Sequence, residues 1–181
     1  MRIISGKARG TKLFTLEGAN TRPTLDRVKE PLFSIISAYI PEANILDLFA
    51  GSGALALEAL SRGAKSAVLC DNSKDAIRVI KNNLEKTKLE AEIVNNDFVK
   101  CLEQMQGRQF DIIFLDPPYE TKYLEKAINK ILEDNLLSQD GIIVAETDNQ
   151  NKVEDIEKLD ITVKDIRRYG RVILIFLKRK E

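Results

Sequence analysis

The chain has 181 residues, 44% hydrophobic and 31% charged, with 28 basic residues balancing 28 acidic ones and no histidine. That length suits one domain with a real core, and the composition is that of a soluble globular protein. It excludes a membrane span, which needs roughly 18–20 uninterrupted apolar residues, and it removes the usual general base and commonest metal ligand.

The first ten residues, MRIISGKARG, lack an apolar h-region, so no signal peptide is expected. Ile3–Ser5 and Lys12–Thr15 predict a small hairpin, followed by a helix over 25–39 capped by Thr24. Pro31 should kink or restart that helix. Within residues 1–30, seven basic residues (Arg2, Lys7, Arg9, Lys12, Arg22, Arg27, Lys29) face three acidic ones (Glu17, Asp26, Glu30). This local excess reads either as solvated surface or as phosphate contacts.

From residue 45 the pattern alternates between β-like runs and helices. ILDLF (45–49) is a buried strand, followed by a glycine turn and a helical ALALEALSRG. SAVLC (66–70), a helix over 74–87, AEIVN (91–95), a helix over 97–105, DIIFLD (111–116) and a helix over 123–137 follow. GIIVAET (141–147), ITVKDIR (161–167) and RVILIFL (171–177) complete the series. Helices between strands predict right-handed crossovers and a parallel sheet. Only 168–170 separate the last two strands, which is too short for a crossover, so they should form an antiparallel hairpin. The expected architecture is α/β and Rossmann-like, with seven strands, mostly parallel, and one antiparallel edge strand. Residues 1–40 form a basic appendage and 41–181 the α/β unit of one domain. Cys70 and Cys101 match no metal spacing and read as buried thiols. No metal is expected.

Asp47-Leu48-Phe49-Ala50-Gly51-Ser52-Gly53 closes the first strand of the unit, where open α/β sheets bind ligands. Gly51 to Ala56 also satisfies G-x-G-x-x-A, with Asp71 twenty residues beyond Gly51, so a nicotinamide enzyme is a rival reading. Asp47 argues against it, because a carboxylate just before the loop repels a pyrophosphate. It attracts the cationic amino and sulfonium groups of S-adenosylmethionine. Asp71 ends the second strand, where it can accept from a ribose diol. Asp97 follows the third, within reach of an adenine amino group, with Phe98 packing on the ring; its alternative role is a helix cap.

Asp116-Pro117-Pro118-Tyr119 ends the fourth strand. Two prolines hold the turn rigid, so that the Asp116 carboxylate and the Pro117 carbonyl face one point. Both are acceptors and an exocyclic –NH2 offers two donors, while Tyr119 offers a stacking face. The amino lone pair is delocalised into the ring, so orientation and charge stabilisation matter more than a strong base.

MRIISGKARGTKL, TRPT (21–24), DLFAGSGALALEALSRGA, FLDPPY (114–119) and the late RRYG together resemble the bacterial 16S ribosomal RNA guanine-N2 methyltransferase family of the RsmD type. The DPPY tetrad alone is shared with DNA adenine methyltransferases, but the ordered set spans nearly the whole chain. The resemblance implies a class I methyltransferase fold and cytoplasmic N2-methylation of a guanine in 16S rRNA. It also implies S-adenosylmethionine as donor and an assembling small subunit as substrate; a monomer is expected. It places Asp47, Phe49, Ala50, Gly51, Ser52, Gly53, Asp71, Asn72, Asn96, Asp97 and Phe98 at the donor and Asp116–Tyr119 at the catalytic loop. Lys7, Arg9, Lys12, Arg22, Thr24, Arg27 and Arg168 are expected on the RNA, with Arg22–Thr24 closing over donor or target base. Pro31 and Asp71 depart from the pattern, which favours a helix former and a glutamate there. The competing readings are a DNA adenine-N6 methyltransferase and a non-catalytic RNA-binding assembly factor. The first usually needs a separate target-reading insertion, for which the chain has no spare segment.

Overall fold

The computed structural model describes residues 1–16, 23–119 and 121–181, and among residues 23–26 the backbone alone. Arg22 and the side chain of Thr24 therefore lie outside the described residues. In chain order the elements are α1 (Pro23–Ile35), a 3-10 turn (Ser37–Tyr39), β1 (Asn44–Asp47), α2 (Ala54–Ser61), β2 (Ser66–Asp71) and α3 (Lys74–Thr87). Then come β3 (Glu92–Asn95), α4 (Phe98–Gln104), β4 (Phe110–Leu115), α5 (Tyr123–Glu133), β5 (Leu137–Thr147), α6 (Gln150–Glu157), β6 (Thr162–Tyr169) and β7 (Val172–Lys178).

The seven strands form one sheet in the order β3-β2-β1-β4-β5-β7-β6. β1 to β5 pair in parallel, and β7 runs antiparallel to both its neighbours. The reversed strand belongs to the expected edge hairpin and is its inner member. Strand order reverses between β1 and β4, which opens a crevice at their carboxyl ends. Among the described residues, no helix is long and apolar enough to cross a membrane.

Side chains alternate across a strand, and the two faces carry two separate cores. Ile45, Leu69, Ile112, Phe114, Ile142, Val144 and Leu174 pack with α1, α2 and α3. Leu46, Val68, Cys70, Ile113, Leu115, Ile143 and Ile175 pack with α4, α5 and α6. Both cysteines are buried free thiols in the second core.

The N-terminal hairpin is not formed as expected. Residues 1–16 make a single antiparallel bridge, Arg2 to Lys12, and the pairing stops there for a physical reason. The amides of Ile4 and Ser5 donate to the Glu58 carboxylate (2.8 and 3.1 Å), and that of Phe14 donates to Asn83 Oδ1 (2.7 Å). These donors serve α2 and α3 rather than a ladder. The turn itself lies against α2, where any Cβ on Gly6 would meet the Ser61 carbonyl oxygen at 1.8 Å.

The helix expected over 25–39 begins at Pro23, whose missing N–H costs nothing at the first helical position. Thr24 thus falls inside the first turn rather than capping it. The helix continues past Pro31 to Ile35 without a restart and is followed by the 3-10 turn; the proline removes one backbone donor but does not end the helix. Helix α5 stops at Glu133 instead of 137, because Asn135 takes a left-handed conformation (φ 53°) and Leu136 N donates back to the Ile131 carbonyl.

Candidate active site

Strand register arranges four carboxylates on four adjacent strands. Alternation puts Asp71 (β2), Asp47 (β1), Asp116 (after β4) and Glu146 (β5) on the face that carries α1 to α3. Asp47 is level with Leu69 and Phe114, so it sits two residues, about 6–7 Å, deeper than Asp71 and Asp116. That depth explains its 2% exposure. Its Oδ2 has no hydrogen-bond partner among the described residues. Burial first, then Asp116 and Asp71, push its pKa from an ordinary 3.8 to about 8, against a backbone hydrogen bond at Ala56. A buried, unpartnered carboxylate oxygen of this kind is stabilised by a cation.

The glycine loop after β1 is held from several sides. Ala50 N donates to the Cys70 carbonyl (2.9 Å), Gly53 N to the Ala50 carbonyl (2.8 Å) and Gly51 N to Asp71 Oδ2 (2.9 Å). Gly53 has φ 84°, and a Cβ there would come within 2.9 Å of Leu69, so the tight turn requires glycine. Asp71 Oδ1 also accepts from Ser73 N (2.9 Å), so the carboxylate braces the loop with both oxygens, each of which has further acceptor capacity. This gives the shorter acid a reason to be here.

Asp97 caps α4 by accepting from Lys100 N (2.9 Å), and Asn96 Oδ1 accepts from Asp97 N (3.0 Å). Asn72 is exposed in the turn after β2. Phe98 is buried beneath Phe49 and Tyr123, at ring-centroid distances of 5.3 and 4.9 Å. Phe49 and Tyr123 stack 6.5 Å apart with planes 6° from parallel. Tyr123 carries the exposed edge of this trio and escaped the sequence reading, where it served only as the first residue of a helix.

Pro117 is buried, Pro118 exposed, and Asp116 and Tyr119 half-buried. Thr121 Oγ1 donates to the Pro118 carbonyl (2.9 Å), which pins the loop from beyond its far end. Pro117, Pro118, Tyr119 and Glu146 line a small open recess together with Thr121, Leu124, Thr147 and Lys152.

The basic residues divide into separate groups. Lys7, Arg9, Lys12 and Arg27 are all exposed. Lys7 and Arg9 lie on the turn whose backbone bonds Ser61, at the end of α2 remote from the glycine loop. Among the described residues the segment is tied to the glycine loop at Phe14, through Asn83. This buried amide accepts from Phe14 N and donates to the carbonyls of Phe14 (3.0 Å) and Ser52 (2.9 Å). Arg168 lies at the opposite rim, level with Ile173 and hence with Thr147, and donates to Gln150 (2.6 Å).

Comparison with known proteins gives concordant relatives. A Bacillus subtilis chain named as a candidate rRNA methyltransferase is 40% identical over 99% of this chain and all of its own length. The ribosomal RNA small subunit methyltransferase D of Haemophilus influenzae is 41% identical over 82% of this chain and 79% of its own. A solved Escherichia coli structure, described as a candidate methyltransferase, superposes with a TM-score of 0.87 at 35% identity over 99% of this chain and 98% of its own. The model of the family described as conserved hypothetical protein 95 matches residues 1–178, and this chain belongs to that family.

Proposed function

We propose that this chain transfers a methyl group from S-adenosylmethionine to the N2 amino nitrogen of a guanine in small-subunit ribosomal RNA. It acts as a cytoplasmic monomer on an assembling subunit. The observation that carries this reading is the pairing of Asp47, a buried carboxylate with an unpartnered oxygen, with Asp116-Pro117-Pro118-Tyr119 across the crevice between β1 and β4. The names of the relatives support an rRNA substrate.

When bound, S-adenosylmethionine supplies an electrophilic methyl group on a sulfonium sulfur. Asp47 suits its cationic amino group, Asp71 its ribose hydroxyls, and Asp97 with the Phe49–Phe98–Tyr123 trio its adenine. The Asp116 carboxylate and the Pro117 carbonyl accept the two N–H groups of the target amine, which points the nitrogen at the methyl carbon. Asp116 stabilises the positive charge that develops on that nitrogen and accepts or relays the departing proton, while Tyr119 stacks on the base. Incubation with labelled S-adenosylmethionine and undermethylated small subunits, naked rRNA or duplex DNA tests the assignment. Label is expected at guanine N2 in the subunit; label at adenine in DNA contradicts it.

Asp47 makes donor binding pH-dependent. The bound cation favours the ionised carboxylate, so below pH 8 binding releases a proton and affinity rises with pH, by at most about tenfold per unit. Without ligand the sign is opposite: a folded-state pKa of about 8 against an ordinary 3.8 means that stability falls as pH rises through that interval. Calorimetry between pH 6 and 7.5, in buffers of different ionisation enthalpy, should show proton release in the wild type and none in Asp47→Asn.

Removing Lys7, Arg9 and Lys12 together should weaken RNA binding and flatten its salt dependence, by about 0.7–0.9 in log–log slope for each phosphate no longer neutralised. Melting temperature should hardly move, because exposed charges contribute little to stability. Coincident slopes for wild type and variant would leave this turn as solvated surface.

A further inference from the structure

We propose that Glu146 reads the N1–H of the target base and so selects guanine over bases whose ring nitrogen beside the reacting amine is an acceptor; this rests on the methyltransferase reading above. Three observations converge on it. Leu115 pairs with Ala145, so one residue on, Glu146 stands level with Asp116 on the neighbouring parallel strand, about 4.8 Å away in backbone spacing. Its cross-strand partner on β7 is Leu174, which packs in the core of the α1–α3 face, so Glu146 shares the face of Asp47 and Asp116. It is 6% exposed and lines a small recess with Pro117, Pro118 and Tyr119 of the catalytic loop and with Thr121, Leu124, Thr147 and Lys152. Asp47, 2% exposed with an unpartnered oxygen, lies in the same row and marks this edge of the sheet as built for a donor-rich ligand.

The chemistry distinguishes two kinds of amino-group target. Adenine presents its amine beside an N1 acceptor, which a second carboxylate repels. Guanine presents N1–H directly beside its 2-amino group, so three N–H donors lie along one edge. Asp116 and the Pro117 carbonyl take the amine, and Glu146, level with Asp116 on the next strand, takes N1–H. The row thus divides by function, with Asp71 and Asp47 on the donor side of the switch point and Asp116 and Glu146 on the target side. A flipped base is read on this edge, and a buried hydrogen-bonding site rejects an analogue that leaves it unpaired.

The test uses a synthetic fragment of the target RNA with either guanine or 2-aminopurine at the modified position. 2-Aminopurine keeps the 2-amino group, but its N1 is an acceptor. Wild type should methylate guanine faster by about 10–10²-fold in kcat/KM, the range of one hydrogen bond to a charged group. In Glu146→Gln the guanine rate should fall while the 2-aminopurine rate holds or rises, since the amide can donate to N1; the ratio then collapses. Donor affinity by calorimetry should stay within a few-fold of wild type. Equal wild-type rates on the two bases, or a ratio unchanged by the substitution, would overturn the proposal even though guanine methylation stood. Absence of transfer to the guanine fragment and to intact subunits alike would instead overturn the functional reading beneath it.

Discussion

Asp116→Ala lowers methyl transfer by about 10²–10³-fold while S-adenosylmethionine affinity stays within a few-fold, because the carboxylate acts on the charge that develops at the target nitrogen. The loop geometry supports this separation. Asp116 stands two residues beyond the level of Asp47 and across the switch point, outside the bracing of the glycine loop by Asp71 and Cys70. Removing it should also ease the ionisation of Asp47, since Asp116 is the second contributor to its raised pKa. The variant's donor affinity should therefore depend on pH over a lower range than that of wild type. Single-turnover kinetics with calorimetry at several pH values checks both parts. Full activity would remove Asp116 from the chemistry.

Glu58→Ala should cost about 3–5 kcal/mol of stability, roughly 6–20 °C in melting temperature for a chain of this size. Glu58 is fully buried and accepts from Lys29 Nζ (3.0 Å), itself fully buried, from Arg62 Nε (2.8 Å) and from the amides of Ile4 and Ser5. Burial alone would raise its pKa, but the bonds from Arg62, the Ile4 amide and Lys29 outweigh that and hold it below the ordinary 4.5. Its stabilisation is therefore present at neutral pH and is lost as pH falls below that value. Truncation takes the carboxylate from the Lys29 ammonium, which also donates to the Arg2 carbonyl (3.0 Å), and unhooks the first turn of the chain from α2. Thermal denaturation gives the magnitude, and hydrogen exchange at the Ile4 and Ser5 amides should rise most. A stability loss under about 1 kcal/mol would mean that α1 and the N-terminal segment dock mainly by apolar contact.

The α/β frame was legible because its signals are local. Short apolar runs ending in Asp47, Asp71 and Asp116 mark parallel strands, and a helical period of apolar residues placed α3 at Lys74–Thr87, as observed. Helix α6 was missed because only Val153 and Ile156 bury themselves in an otherwise polar stretch. The N-terminal hairpin failed for the complementary reason. Its period-2 pattern is genuine, but the amides of Ile4, Ser5 and Phe14 go to Glu58 and Asn83, which lie 53 to 69 residues further along the chain. No local rule sees that distance. The same holds within the site. Glu146 sat unnoticed inside a strand run until the register set it beside Asp116, and Asn83 looked like one more polar residue on a helix.

Nuclease digestion and mass spectrometry of small-subunit rRNA from cells that lack this chain decide whether it modifies a guanine there. One N2-methylguanosine should be missing. It should return when the purified chain and S-adenosylmethionine are added to those subunits, and should not return with the Asp116→Ala variant. An unchanged set of methylated guanines in the deficient cells would contradict the assigned function.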